Sequence, residues 1–264
     1  MIVISEDAYL SIEIDDLNKP VVGIDNKVST SNVTATGSAT DYPITNIANP
    51  ATFLYWKANS TASKTITINL TGNTDLIDYV GIAKHNFYDE GVTVQILGDS
   101  VEIVPAFLPG DNSPLFIRFE ADAYQEIEIV LGAATTNAAY AATIYCGTLL
   151  TFERGIYVGH KPITINSVSD AVAGYSESGN FLGRIIVNES RSTSIQLQNL
   201  TASWVRNYLK PFLADAKTLP FFFAWRPDTY PTEVGFVWLK GDPMPDNQRS
   251  NGMMQFSADV MGIV

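Results

Sequence analysis

Cysteine occurs once in the 264 residues, at Cys146, and histidine twice, at His85 and His160. A single cysteine excludes an intrachain disulfide, and its apolar surroundings in Ala141–Cys146 predict a buried thiol. No His/Cys/carboxylate spacing resembles a metal site, and no Gly-x-Ser-x-Gly or phosphate-cradling glycine loop is present. Basic residues are scarce as well: 16 Lys and Arg stand against 28 Asp and Glu, a formal net charge of −12. No cluster of Lys and Arg offsets that deficit, which argues against binding nucleic acid or docking on an anionic membrane surface. No apolar run approaches the ~18 residues of a membrane span. No basic segment precedes a short apolar one, so a secretory signal is not expected. The acidic pairs Asp15-Asp16 and Asp89-Glu90 are sequence neighbours in turns and read as solvated charge. These absences predict a protein made in the cytoplasm, not an enzyme, with no cofactor, no metal and no membrane insertion.

What is present is mostly β. The chain is 46% hydrophobic and 17% charged, long enough for two modest cores. Tyr9–Ile14 alternates and predicts a first strand. Residues 26–42, rich in Ser, Thr, Gly and Ala, read as a loop or crossover. Short strands then recur over Lys64–Leu70, Tyr79–Ala83, Val92–Leu97, Leu115–Phe119, Glu126–Leu131 and Thr143–Tyr145. Turns at Gly72-Asn73, Asp89–Gly91, Gly98-Asp99 and Gly110-Asp111 separate them, the spacing of an antiparallel sandwich or jelly roll. After residue 150 the rhythm changes. Strands are predicted at Pro162–Val168, Leu182–Val187, Ser192–Leu197 and Met253–Val260, with a flexible Asp170–Asn180 segment between the first two. The domain reading is therefore 26–150 as a sandwich and 151–264 as a second unit, with residues 1–25 able to pair with either.

The second unit is organised around one stretch, Leu200–Leu239. Trp204, Val205, Tyr208, Leu209, Phe212 and Leu213 recur at helical spacing and predict a helix over 201–216, capped by Thr201 or Ser203. Pro211 should kink or end it. Leu219–Trp225 and Val234–Leu239 read as a hairpin whose aromatics need a covering layer.

Two resemblances follow from these residues. Tyr42–Trp56, with Asn49-Pro-Ala-Thr52 ahead of the Trp and a strand at Lys64–Leu70, resembles the opening of discoidin-like (F5/8 type C, carbohydrate-binding-module-like) sandwiches. Asp75–Phe87 followed by Gly91–Ile96 is similar to the variant of that module in virion proteins of tailed phages. Ile47-Ala48-Asn49 stands where the family has Asp-Gly-Asn, a departure that bears on the structural calcium sometimes found beside the family's binding loops and leaves it open here. Further on, the helix, Pro220–Asp228 and Gly235–Leu239 together resemble the β-barrel of phage distal-tail and baseplate proteins. The two resemblances imply an all-β chain, a discoidin-like sandwich followed by a tail-type β-barrel with one helix. They imply a structural component of a phage tail tip or baseplate. It would form a ring oligomer, contact other tail proteins, and turn its sandwich outward, either to contact a host-surface glycan or to brace neighbouring subunits. The alternative is a free carbohydrate-binding lectin or adhesin.

Candidate site residues come from both units. For sugar recognition they are Tyr55, Trp56, His85, Asn86, Phe87 and Tyr88, because aromatic faces stack on sugar rings while amide and imidazole groups bond hydroxyls. The plainer readings stand beside these: a Trp before a strand commonly fills the core, His85 can bond backbone at a sandwich edge, and His160 in its Gly-flanked turn can face solvent. Phe222 must point away from Phe221 and Phe223 on a strand of period two. With Arg226 and Asp228 it is a candidate subunit contact, the latter two alternatively fixing their own turn.

Overall fold

The computed structural model describes residues 1–156, 159–248, 250 and 252–263, with the side chains of 188 and 189 left aside. Its first strands are β1 (Ile2–Ile4), β2 (Val21–Gly23), β3 (Val33–Ala35), β4 (Trp56–Lys57), β5 (Lys64–Asn69) and β6 (Ile77–His85). Next come β7 (Val94–Gly98), β8 (Val101–Phe107), β9 (Leu115–Asp122), β10 (Glu126–Leu131), β11 (Tyr140–Gly147) and β12 (Leu150–Thr151). The last are β13 (Ser167–Tyr175), β14 (Phe181–Leu200), β15 (Phe221–Ala224), β16 (Val234–Leu239), β17 (Asp246–Asn247) and β18 (Met254–Ile263). Helix α1 spans Glu6–Ser11, and α2 runs through Ala202–Trp204, a π turn at Val205–Leu209, and Lys210–Ala216.

Two five-stranded sheets, ordered β1-β9-β6-β11-β4 and β3-β5-β10-β7-β8, form a sandwich. A third, eight-stranded sheet, ordered β12-β2-β15-β16-β18-β14-β13 with β17 beside β18, packs against it. The period-two alternation of a strand explains how one sheet serves two cores. Along β6, Ile77, Val80 and Ile82 face the sandwich interior, whereas Tyr79 and Ala83 face the third sheet. In β15, Phe221 and Phe223 pack under α2 with Leu209, Phe212 and Leu213, while Phe222 and Ala224 face the sandwich. The result is four layers, three sheets and a helix, with cores between each pair.

Residues 1–25 serve both halves. β1 lies parallel to β9 in the sandwich, and β2 pairs with β15 and β12 in the third sheet. Between them, the strand expected at Tyr9–Ile14 is replaced by α1. Ser5 caps it, its hydroxyl accepting from the Ala8 amide at 3.3 Å, and Glu6 and Asp7 occupy its first turn. A cap with acids just inside outweighs a short alternating run.

Thr201 caps α2 by accepting from the Trp204 amide at 3.2 Å. The helix does not end at Pro211. The turn before it widens instead, Lys210 donating to the carbonyl of Val205, and so the ring is accommodated while the helix continues to Ala216. The wider turn shifts the apolar face, and Tyr208 emerges 55% exposed. The segment expected to be flexible at 170–180 belongs largely to β13, and the two strands expected at 182–187 and 192–197 are one strand, β14.

Candidate functional site

Most of the residues singled out for sugar binding turn out to hold the sandwich together. Trp56 is fully buried in the sandwich core and donates its indole N–H to the Ser38 hydroxyl at 3.0 Å. His85 is buried too, stacked on Phe87 with centroids 4.5 Å apart. Its Nε2 faces the Ser113 carbonyl at 2.9 Å, and its Nδ1 accepts from the Phe87 amide at 3.3 Å. Burial pushes its pKa down to about 4, so the ring is neutral and both nitrogens are engaged. The Asn86 amide bridges two strands, donating to the Ala138 carbonyl at 3.2 Å and accepting from the Tyr140 amide at 2.8 Å. Phe87 is fully enclosed. For Trp56, His85, Asn86 and Phe87 the expectation of a ligand contact is therefore corrected: a group already buried and bonded cannot reach a sugar. Tyr55 and Tyr88 remain accessible.

Tyr55 is the centre of an aromatic face at the surface. Its ring stacks on Tyr42 with centroids 4.6 Å apart at 25°, and Tyr140 leans against it at 5.3 Å. The phenol of Tyr42 beside it raises the Tyr55 pKa above the ordinary value. The scaffold beneath is bonded and specific. Asn46 donates to the Tyr55 carbonyl at 2.9 Å, and Thr143 donates to the Asn49 carbonyl at 3.1 Å. Trp56 anchors the next residue in the core, and Asn86 holds the amide of Tyr140. On the same loop Phe53 stands 74% exposed. Three phenols with polar edges and a common apolar surface, set on a bonded frame, make a face that can stack on a planar or cyclic polar ligand.

Sequence reasoning found Tyr55 but missed Tyr42 and Tyr140 as its partners. Tyr42 was visible inside the Tyr42–Trp56 segment. Tyr140 comes from β11, and only the pairing of β11 with β4, Tyr140 opposite Lys57, brings it alongside. A separate depression of about 530 Å3 is lined by Ser5, Asp7, Leu10, Ile103, Glu120 and Tyr124, among others, none of them singled out from sequence.

The three candidate subunit contacts also find partners within the chain. Phe222 is 0% exposed, closed in by Phe236 at 4.8 Å, Tyr145 at 5.6 Å and Phe116 at 5.8 Å. It does point away from Phe221 and Phe223, but the face it meets is the sandwich of its own chain. Arg226 lies over Trp225 and Tyr230, 5.7 and 5.5 Å from their centroids. Asp228 accepts from Asn18 at 3.4 Å, and Asn18 in turn accepts from the Thr229 amide at 2.9 Å. The turn is thus tied to the N-terminal segment. His160, expected to face solvent, is half-buried against Trp225 at 4.5 Å and bonds the Ser194 carbonyl at 3.2 Å. Cys146 is buried, as its apolar neighbours implied. Among the described residues no group of three or more His, Cys, Asp or Glu could hold a metal ion.

No protein-family model matches the sequence, and no curated protein matches it. Solved structures similar to part of the chain include carbohydrate-binding modules. One is chitosan-binding module 1 of a chitosanase/glucanase from Paenibacillus sp. IK-5, with 16% identity over 47% of this chain and 98% of the module, TM-score 0.38. Another is a family 32 module from Clostridium perfringens in complex with GalNAc-β-1,3-galactose, with 15% identity over 44% of this chain and 94% of that one, TM-score 0.38. A third is the family 32 module of Clostridium perfringens NanJ in complex with galactose, 14% identical over 49% of this chain and 99% of the module, TM-score 0.38.

Proposed function

We propose that this chain is a structural component of a phage tail tip or baseplate. It assembles into a ring through its C-terminal half and turns its sandwich outward, where the Tyr42–Tyr55–Tyr140 face meets a host-surface glycan. The observation that carries the reading is that face: Tyr42 stacked on Tyr55 with Tyr140 tilted against it at the surface, held by a frame of Trp56, Asn46, Thr143 and Asn86. Stacking on a sugar ring uses a pre-ordered aromatic surface with hydroxyls at its edge, and little side-chain entropy is lost on binding. The tail assignment is supported by the sequence resemblance of Leu200–Leu239.

Two experiments test the two parts. Titration of the full chain against a panel of neutral and acidic oligosaccharides should find a binder, and Tyr55→Ala should weaken it by about tenfold or more, the worth of one stacking ring. Equal affinity in Tyr55→Ala, or no binder in the panel, refutes the glycan contact. Quantitative mass spectrometry of purified particles should then find the chain at a fixed low copy number, on the order of a small multiple of three or six. Absence from particles removes the tail assignment and leaves a free lectin.

A further inference from the structure

The surface that stands out beyond the sandwich is the hairpin of β13 with the first half of β14. From Arg191 onward β14 pairs with β18 inside the third sheet, but across Phe181–Ser190 its ladder partner is β13 alone. The base of this arm is fixed: Asn166 donates to the Ser192 carbonyl at 2.7 Å and Arg191 to the Thr164 carbonyl at 3.0 Å. Beyond the base, Val172, Tyr175, Phe181, Leu182, Ile185 and Val187 are all more than 60% exposed. Both faces are apolar, because Val172 sits opposite Ile185 on one face and Ala171 opposite Ile186 on the other. Two-stranded ribbons are marginal by themselves in water, so such an arm needs a covering partner.

We propose that the β13–β14 arm is an assembly interface whose occupant is a second copy of this chain, packed over the arm's apolar faces. The inference rests on the assembly part of the reading above and names the surface that would perform it. Area and charge both favour that occupant. Summed over its two faces, the exposed apolar residues of the arm amount to roughly 1,000 Å2, comparable with the ~800 Å2 per partner of a stable interface that wraps the ribbon. Copies carrying −12 each repel one another, so self-association needs a surface with little charge; from Val172 to Val187 only Glu177 and Arg184 are charged. A lipid occupant fits less well, since a two-stranded ribbon would carry unpaired backbone edges into hydrocarbon.

The test is sedimentation velocity on the full chain across a concentration series, comparing wild type with Ile185→Asp/Ile186→Asp and with Val172→Asp/Leu182→Asp. All four positions are exposed, so thermal unfolding should not change. The expected result is a concentration-dependent oligomer in wild type. Association should be weaker by about 100-fold or more in both variants, because each arm then offers two carboxylates where the partner would bury two aliphatic side chains. Variants that assemble as tightly as wild type overturn the arm and leave a ring formed elsewhere. Wild type that is monomeric throughout overturns both the arm and the assembly reading. Arm-dependent co-sedimentation of wild type with phosphatidylcholine vesicles in place of self-association makes lipid the occupant and overturns the second copy. Sugar binding through Tyr55, measured on the same variants, should be unaffected, so failure of the arm and failure of the glycan contact are read separately.

Discussion

Replacing Phe222 by alanine tests how the two halves of the molecule are joined. The ring fills the space between the sandwich and the third sheet, touching Phe116 and Tyr145 on one side and Phe236 on its own. The sandwich makes room for it at Gly81, where a Cβ would lie 2.5 Å from the Phe222 ring. Sheets on both sides are held by ladders and cannot collapse far into the void, so the cost belongs at the upper part of the range for a buried Phe→Ala, about 3–5 kcal/mol. For a chain of this size that is a fall in Tm of about 6–20 °C. Calorimetry and urea unfolding followed by tryptophan fluorescence and circular dichroism would measure it. Weakening the joint should also separate the transitions seen by the two probes, since three of the four tryptophans, Trp204, Trp225 and Trp238, lie in the C-terminal half. Gly81→Ala attacks the same joint from the sandwich side and should cost about 1–3 kcal/mol in the wild type. Combined with Phe222→Ala it should cost less than the sum, because its methyl enters the space the ring has left. A Phe222→Ala loss below about 1 kcal/mol, or a loss of self-association at unchanged stability, would refute this packing role and return Phe222 to the surface.

Two further expectations follow from close approaches and buried charge. A Cβ on Gly147 would lie 2.3 Å from the Asp25 carbonyl oxygen, whereas one on Gly110 would meet nothing within 4 Å; Gly147→Ala should therefore destabilise by about 1–3 kcal/mol and Gly110→Ala by almost nothing, as chemical denaturation would show. Asp78 accepts from the Leu149 amide at 2.7 Å at the joint, and burial pushes its pKa up to about 6 despite Arg118 nearby. A raised carboxyl pKa means the folded state binds the proton more tightly, so this contribution is full below about pH 4 and is lost as pH rises through about 6. Asp78→Asn keeps an acceptor for Leu149, and it should be more stable than wild type at pH 7.5 by about 1–3 kcal/mol, with the gap closing by pH 4. Denaturant midpoints at the two pH values that move in parallel for both proteins would contradict the assignment.

The strands that could be read from sequence are those with one wet face. β5 and β10 alternate buried and accessible residues along their whole length, and β10 lies where Glu126–Leu131 predicted it. β6 is covered on both sides, so its pattern is a run of buried residues, and only the middle of it was visible as Tyr79–Ala83. β8 was missed because it is largely exposed and contains Pro105. The arm was misread for a related reason: without a core to face, β13 shows no hydrophobic alternation, and its Ser, Gly and Ala content looks like a loop. The site was legible in part. The aromatic content of Tyr42–Trp56 and His85–Tyr88 was plain, but which rings turn outward depends on register. Trp56 and Phe87 went into the core, and the neighbours Tyr55 and Tyr88 were left outside.

That division has a consequence for where recognition can take place. The central sheet of the molecule, β1-β9-β6-β11-β4, has no free face: one side packs on β5, β7 and β10, the other on the third sheet through Tyr79, Phe116 and Tyr145. The third sheet is in turn covered by α2 over Phe221 and Phe223. A flat ligand or partner cannot lie on these surfaces without first displacing a core of fully buried aromatics. Among the described residues, the surfaces the layers leave free include the outer face of the other sandwich sheet, the outer faces of the helices, the loop ends and the arm. Of these, the outer face of β5 and β10 presents Thr65, Thr67, Glu126, Glu128 and Val130 at strand spacing, a polar surface with no stacking ring. One ordered and reachable group of aromatic rings is Tyr42, Tyr55 and Tyr140, and a long run of exposed aliphatic side chains lies on the arm. The two surfaces share no residue: one is carried by loop residues and β11 of the sandwich, the other by β13 and β14 of the third sheet.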